Sequence, residues 1–332
     1  MSNVQVNVIP DLLPSFQPVK AIDFQFGDNY VLEVTANSQY AIASASDRLI
    51  RLYDLNNLEL ATTLKGHEGA ITKIKLYGDQ YLLSSSDDGQ WVRWDLRTGA
   101  PAQTFKYTRY VSAFDLNCND TMGILGTDSY GATQAAELVF FDTRKTDILS
   151  IFEESHGDDI TDIECHPSIP SQMISASTDG LINNYDVMDF DEQEALISVM
   201  NSGSSVTKAG YFGPEAEYVY CLTHIETFSL FTLEGDVICD YGAVRDINVA
   251  SVEYAITCSY DPFSRRFYLI TGNNSGQVQL FHVNIGELQL CQVLEAPGGH
   301  SDIVRAFYWN HQTQSILTGG EDGRMCAWQG TS

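Results

Sequence analysis

A chain of 332 residues with 44 Asp and Glu against 18 Lys and Arg carries a formal net charge of −26, a field that repels phosphate backbones and anionic lipid surfaces. Duplex nucleic acid and acidic membranes are thereby excluded as direct ligands, while basic proteins or basic tails are attracted. Hydrophobic residues make up 44%, the length suffices for a sizeable core, and 17 Tyr with 16 Phe lean toward strands.

In chain order, residues 1–18, with Pro10, Pro14 and Pro18, read as an arm lying over the surface. VKAIDFQF, Val19 to Phe26, alternates as a strand and precedes a first inner strand, NYVLEV. From there one phrase recurs: a tight acidic turn followed six residues later by an aromatic residue. Asp47 leads to Tyr53, Asp88 to Trp94, Asp179 to Tyr185 and Asp322 to Trp328, and Ser275 to Phe281 keeps the spacing without the acid. The gaps between these turns are 41, 91, 96 and 47 residues, two of unit length and two doubled. Each doubled gap hides a weaker copy, one with FFD at Phe140–Asp142, the other with Phe231 in the aromatic place. The chain therefore holds seven units of roughly 35–50 residues, each read as four short strands between Gly, Asn and Asp turns. In the second unit these are ITKIKLY, QYLLSSS, QWVRWDL and APAQTF.

Three units carry a His before their first strand: GHEGAI (His67), SHGDDI (His156) and GHSDIV (His300). With Trp-Asp near the unit's end, this pattern resembles the WD-repeat (WD40) β-propeller family over roughly residues 20–328. The last unit resembles most closely one subfamily with fungal members. Units one, three, five and six lack the His, and unit five lacks the acidic turn as well. The resemblance implies an all-β, seven-bladed propeller over residues 19–332, taken as a single domain. The last unit offers three strands, so an N-terminal strand is expected to complete the last blade and close the ring.

The resemblance also implies a hydrogen-bonded chain of four side chains in the well-matched units. These are His67, Ser84, Asp88 and Trp94 in unit two, and His300, Thr318, Asp322 and Trp328 in unit seven. Unit four would use His156, Ser175 and Asp179, with Tyr185 in place of Trp. Physically, the Asp accepts from the His and fixes its tautomer, the His bonds the hydroxyl, and the hydroxyl accepts from the indole N–H. A buried network of this kind stabilises only when every member is satisfied. A Ser-His-Asp set can be a hydrolytic triad, but recurrence once per unit with an aromatic fourth member marks a structural brace.

Little else suggests chemistry. No phosphate-cradling glycine motif is present. SHGDDITDIECH offers His156 and His166, but an extended strand of about 3.3 Å per residue separates them, too far to share one zinc. The seven Cys (118, 165, 221, 239, 258, 291 and 326) are scattered and never form C-x-x-C, so neither a disulfide framework nor a zinc site is expected. No metal and no cofactor is expected, and the chain reads as non-enzymatic. The N-terminus lacks the basic and apolar regions of a secretory leader and no run approaches 18 apolar residues, so a soluble protein of the cytoplasm and/or nucleus is expected.

Strand order in a propeller blade places the loops between blades and the turns between second and third strands on one face. Glu68, Asp87, Asp158, Asp159, Asp302 and Glu321 fall in those loops, with Tyr107, Arg109 and Tyr110 in the leading loop of unit three. They are candidate partner-binding residues, since aromatics and Arg are hot-spot types. From Thr146 through Thr207 there is no Lys or Arg, and Asp189, Asp191, Glu192 and Glu194 crowd the loop VMDFDEQEA of unit four. The expectation is a protein-interaction scaffold binding or escorting a protein with a basic segment; a small-molecule substrate is not expected. The rival expectation is a noncatalytic, substrate-presenting subunit of a ubiquitin ligase or another modifying complex.

Overall fold

The computed structural model describes residues 4–23, 29–129 and 135–331. Its strands form seven sheets among the described residues, and each corresponds to one repeat unit or, at the end of the chain, to three strands of a unit and one borrowed from the start. The fold is all-β, with seven blades of the β-propeller type. By internal packing the chain divides into two compact units. The first comprises residues 1–84, 92–103 and 244–332, the second residues 85–91 and 104–243. A single domain over residues 19–332 was the expectation from the repeats.

Within each blade the successive strands form an antiparallel meander, because they are joined by turns too short for a crossover; the strands from the chain start are added at the edges of blades six and seven. Blade four shows the pattern. Ile160–Cys165, Gln172–Ser177, Leu181–Asp186 and Leu196–Asn201 pair in chain order, and Met173, Ile174 and Ala176 of the second strand are buried. The turn between its second and third strands needs a left-handed residue, and Gly180 takes it at φ +88°. Gly89 does the same at φ +80° in blade two, where a β-carbon would lie 2.6 Å from the Tyr107 carbonyl oxygen. The Gly89 carbonyl accepts from Tyr107 N–H at 2.8 Å, which ties the turn to the loop leaving the fourth strand.

The apolar residues of neighbouring blades interdigitate. In the first unit, Ile42, Leu52, Ile71, Leu82 and Trp94 pack between blades one and two, and Val31, Val34, Ala306, Leu317 and Met325 between blades seven and one. In the second unit, Ile124, Phe140, Ile160, Ile163 and Tyr185 pack between blades three and four, and Ile174, Ile182, Val206, Val219 and Phe231 between blades four and five. Stacked sheet faces of this kind are why the strands alternate and why their inner members are almost wholly apolar.

The N-terminal segment departs from the expected boundaries. Strand β1 (Gln5–Val8) adds a fifth, parallel strand to the outer edge of blade six, and a short 3-10 turn at Pro10–Leu12 follows. Strand β2 (Ser15–Asp23) then pairs antiparallel with Arg324–Thr331 and completes the last blade. The chain start does supply the missing strand, but it begins at Ser15 rather than Val19; Phe24–Phe26 of the expected strand lie outside the described residues. Within the segment read as an arm, residues 5–8 and 15–18 belong to strands. Pro14 and Pro18 mislead as breakers: on an outer edge strand a missing N–H is tolerated, and the register shifts just after Pro18.

Phe16 is the anchor of this segment. Its side chain is 3% exposed and meets the Trp309 ring edge-on, with centroids 5.5 Å apart. Its backbone is clamped by Gln292, whose Oε1 accepts from Phe16 N–H and whose Nε2 donates to Phe16 O, both at 3.0 Å. Phe16→Ala should therefore lower stability by about 3–5 kcal/mol in chemical denaturation. Val8→Ala, at a side chain 59% exposed, should stay within about 0.5 kcal/mol of the parent.

Candidate interaction surface

The candidate residues stand on loops whose geometry is set by the buried polar chains beneath them. In blade seven, His300 Nδ1 lies 3.1 Å from Asp322 Oδ1, His300 Nε2 lies 2.8 Å from Thr318 Oγ1, and Trp328 Nε1–H donates to that hydroxyl at 3.0 Å. The consistent assignment has Nδ1–H donating to the carboxylate and Nε2 accepting from the hydroxyl. Blade two places His67 Nε2 2.7 Å from Ser84 Oγ, which accepts from Trp94 Nε1–H at 2.8 Å. Asp88 stands in the adjoining turn, its Oδ1 accepting from Gln90 N–H at 2.9 Å. In blade four, His156 bonds Asp179 at 3.0 Å and Ser175 at 2.7 Å, and the Tyr185 hydroxyl accepts from Asn183 Nδ2 at 3.0 Å. All three serine and threonine hydroxyls are buried, so the networks act as braces with no room for a substrate.

The carboxylates of these chains respond to their setting. Burial alone would raise Asp179 and Asp322, but bonds from His156 and His300, helped by backbone amides, outweigh it and hold both below the ordinary carboxylate range. Elsewhere burial pushes the thiols of Cys221 and Cys326 up to about 12 and that of Cys291 to about 11, which keeps them protonated and unreactive near neutral pH.

Other blades use different braces at the same level. Blade one pairs the buried Arg51 guanidinium with Asp47, and blade six bonds Thr271 Oγ1 to Gln279 Oε1 at 2.9 Å. These substitutes explain how units without the His-Asp pair still form blades.

In the second unit the structure gathers Asp87, Tyr110, Asp158 and Asp159 with a residue the sequence analysis missed, Asp128. Asp159 Oδ1 accepts from Ser129 N–H at 2.8 Å and Ser129 Oγ–H at 2.7 Å, and Asp158 Oδ1 lies 3.2 Å from the same hydroxyl. Burial, then the charges of Asp159 and Asp158, lift the Asp128 carboxyl to about 6 against the opposing pull of Ser112 and Arg109. Tyr110, 40% exposed, has its hydroxyl raised by burial and by Asp128, Asp87 and Asp159. A signal for Asp128 existed: it follows Asp88 by 40 residues, the unit length. It was obscured because its aromatic partner Phe140 follows at 12 residues rather than six.

Tyr107 and Arg109 form a clasp with Glu137. Tyr107 OH donates to Glu137 Oε2 at 2.6 Å, Arg109 Nη1 lies 2.7 Å from Glu137 Oε1, and Arg109 Nη2 donates to the carbonyls of Asp128 at 2.7 Å and Ala135 at 3.0 Å. Four bonds to their own blade leave these two side chains positioning the loop, with Tyr110 the exposed aromatic beside it.

In the first unit Glu68, Asp302 and Glu321 stand in the corresponding loops. Glu321 is engaged by Arg305 at 2.5 Å, Asp302 accepts from the next amide, Ile303 N–H, at 2.8 Å, and the Glu68 carbonyl accepts from Arg48 at 2.8 Å. Asp302 and Glu68 are exposed. In the acidic loop of blade four, Asp191 caps a four-residue helix, Glu192–Ala195, and Glu192 accepts from the amides of Glu153 and Glu154 and from Ser155 Oγ. Those two acids are structural. Among the described residues no group of three His, Cys, Asp or Glu side chains is placed to hold a metal ion, and no helix is long and apolar enough to cross a membrane.

The family model described as "WD domain, G-beta repeat" matches residues 58–95 and 289–329. The chain is 30% identical over 306 residues to the WD repeat-containing protein 89 homolog of Dictyostelium discoideum, covering 90% of this chain and 82% of that one. It is 29% identical over 344 residues to WD repeat-containing protein GTS1 of Arabidopsis thaliana, covering 93% and 83%. An uncharacterized WD repeat-containing protein of Saccharomyces cerevisiae is 27% identical over 320 residues, covering 91% and 79%.

Two outcomes follow. In the folded chain Asp179 and Asp322 hold protons less tightly than in the unfolded chain, so the stabilisation they give is complete above the ordinary carboxylate range and is lost as pH falls through their lower folded values. Asp128 has the opposite sign: ionised above about 6, it opposes folding, and protonation relieves it. Asp128→Asn should raise the melting temperature at pH 8 and raise it less at pH 5, the gain vanishing only below the ordinary carboxylate value of 3.8, whereas Asp322→Asn should lower it at pH 8 and flatten the acid limb. Trp328→Phe, which removes the indole donor to the Thr318 hydroxyl but leaves its bond to His300, should cost about 0.5–1.5 kcal/mol in chemical denaturation.

Proposed function

This chain belongs to the WD-repeat family, and from that premise we propose that it is a non-enzymatic interaction scaffold that docks a basic segment of a partner protein on the acidic loops of its second unit. The observation that carries the reading is the grouping of Asp87, Asp128 and Asp159 about the exposed Tyr110, with Asp158 sharing the Ser129 hydroxyl with Asp159; burial first, then the charges of Asp159 and Asp158, lifts Asp128 to about 6. Like charges held together against their own repulsion are relieved by a cation brought among them, and a Lys or Arg of a partner supplies it. Tyr110 offers a ring for the aliphatic stem or guanidinium plane of the same residue. The surplus of 44 acidic over 18 basic residues adds long-range steering to the local contact.

The absence of a catalytic reading rests on geometry. His156 and Ser175 of blade four are buried and bonded to each other, with His156 also on Asp179, and an escort or platform requires only a surface. Such binding is electrostatic in rate and loop-specific in affinity.

Affinity purification at two salt concentrations tests it. Recovered partners should be basic, and their binding should weaken roughly tenfold between low and moderate salt. Asp87→Lys with Asp158→Lys should abolish recovery, while Asp87→Asn with Asp158→Asn should weaken it. Partners retained at high salt in one large stable assembly, and indifferent to both reversals, would overturn the reading in favour of a complex subunit.

A further inference from the structure

Blade six differs from the others in having a strand beyond its fourth. β1 lies along the outer edge of Glu287–Leu294, parallel to it, with Gln5 opposite Glu287 and Val8 opposite Leu290. Its attachment is mostly backbone: Gln5 N–H donates to Gly286 O at 3.0 Å and Ile9 N–H to Leu290 O at 2.8 Å. Gln5, Asn7 and Val8 are exposed and Val6 is half-buried. Four residues in parallel pairing, with almost no side-chain burial, make a weak and sequence-tolerant contact. The edge beneath holds an extended segment through its own N–H and C=O groups, whatever side chains that segment carries.

The attachments of β1 and β2 are separate. Residues 9–14, with Pro10 and Pro14, separate β1 from β2, and the Gln292 clamp on Phe16 fixes the chain immediately after them. β1 can peel away while β2 stays in the last blade. One side-chain contact is specific: Asn7 Nδ2 donates to Glu287 Oε1 at 2.5 Å. A neutral amide there meets a carboxylate that a cation would satisfy better.

We propose that the outer edge of Glu287–Leu294 is a docking site for an extended peptide segment of a partner protein bearing Lys or Arg at the register of Asn7, and that β1 occupies this edge in cis as an autoinhibitory strand. The cis strand shows the edge's direction and register, and Glu287 supplies the charge that prefers a basic competitor. The site is distinct from the acidic loops, and its test reads strand displacement rather than salt-dependent partner recovery, so either reading can fail alone.

The probe is a fluorescein-labelled peptide of residues 1–12 and its Asn7→Lys form. The unlatched protein is the full chain carrying Gln5→Pro and Ile9→Pro, which removes the N–H donors to Gly286 and Leu290. Both peptides should bind the unlatched chain, and bind the unaltered chain roughly tenfold or more weakly because the tethered strand competes. The Lys peptide should bind about two- to fivefold tighter than the Asn peptide, a preference that Glu287→Gln should remove. On the unaltered chain, excess Lys peptide should speed hydrogen exchange at the Gln5 and Ile9 amides. Failure of the Lys peptide to bind an unlatched chain whose circular dichroism and melting remain native, or unchanged exchange in the unaltered chain if the variant does not fold, would overturn the proposal. Dimeric unaltered chain that becomes monomeric on unlatching would also overturn it, by making a second copy the occupant.

Discussion

The second strand of this chain and its last are one structural unit: β2 zipped against Arg324–Thr331. Without it the last blade would present a three-stranded sheet with an unpaired edge and an exposed flank of Trp328 and Cys326, both now buried. An edge of that length is an aggregation template. Burying Phe16 against Trp309 and clamping its backbone through Gln292 couples this closure to the core between blades six and seven. A strand far from its partner in sequence is costly to bring in, since loop closure must be met before the pairing rewards it, so the anchor matters more than the strand's own modest apolar content.

The second constraint is polar. Hydroxyls buried in blades two, four and seven each bond a histidine ring nitrogen, and those of blades two and seven also accept from a Trp indole N–H, which offsets the desolvation cost of burying them. That is why the acidic residues above them hold their places although like charges repel. The cations do little to offset the charge: Arg51, Arg97, Arg109, Arg144 and Arg305 are each engaged with a neighbouring carboxylate of their own blade. What remains is a surface whose unsatisfied quantity is positive charge.

Both interaction surfaces inferred here exploit something the fold leaves incomplete. One is a group of carboxylates without enough counter-charge, and the other is a blade edge filled by a strand with few contacts. They differ in the physics of recognition. The first depends on charge and falls with salt; the second depends on backbone pairing, with charge as a modest selector. A scaffold with both could hold one partner by a basic segment and another by an extended one.

The repeat spacing gave seven units of short strands, because turn chemistry and the two-residue period are local and survive substitution of Trp by Tyr or Phe; the propeller and its His-hydroxyl-aromatic braces were what the resemblance to WD repeats implied. It also placed Asp87, Asp158 and Asp159 in loops of the right kind. It did not reveal Asp128, whose aromatic partner is displaced by extra residues, nor that Tyr107 and Arg109 are spent on Glu137, a residue 28 positions beyond Arg109. It misplaced the start of β2 because proline reads as a breaker until one knows that the strand lies at an edge. The parallel pairing of Gln5–Val8 with residues some 280 positions away has no periodic signature in so short a segment. Only the tertiary structure decides such matters, since whether a polar group, a proline or a four-residue strand is tolerated depends on what stands opposite it.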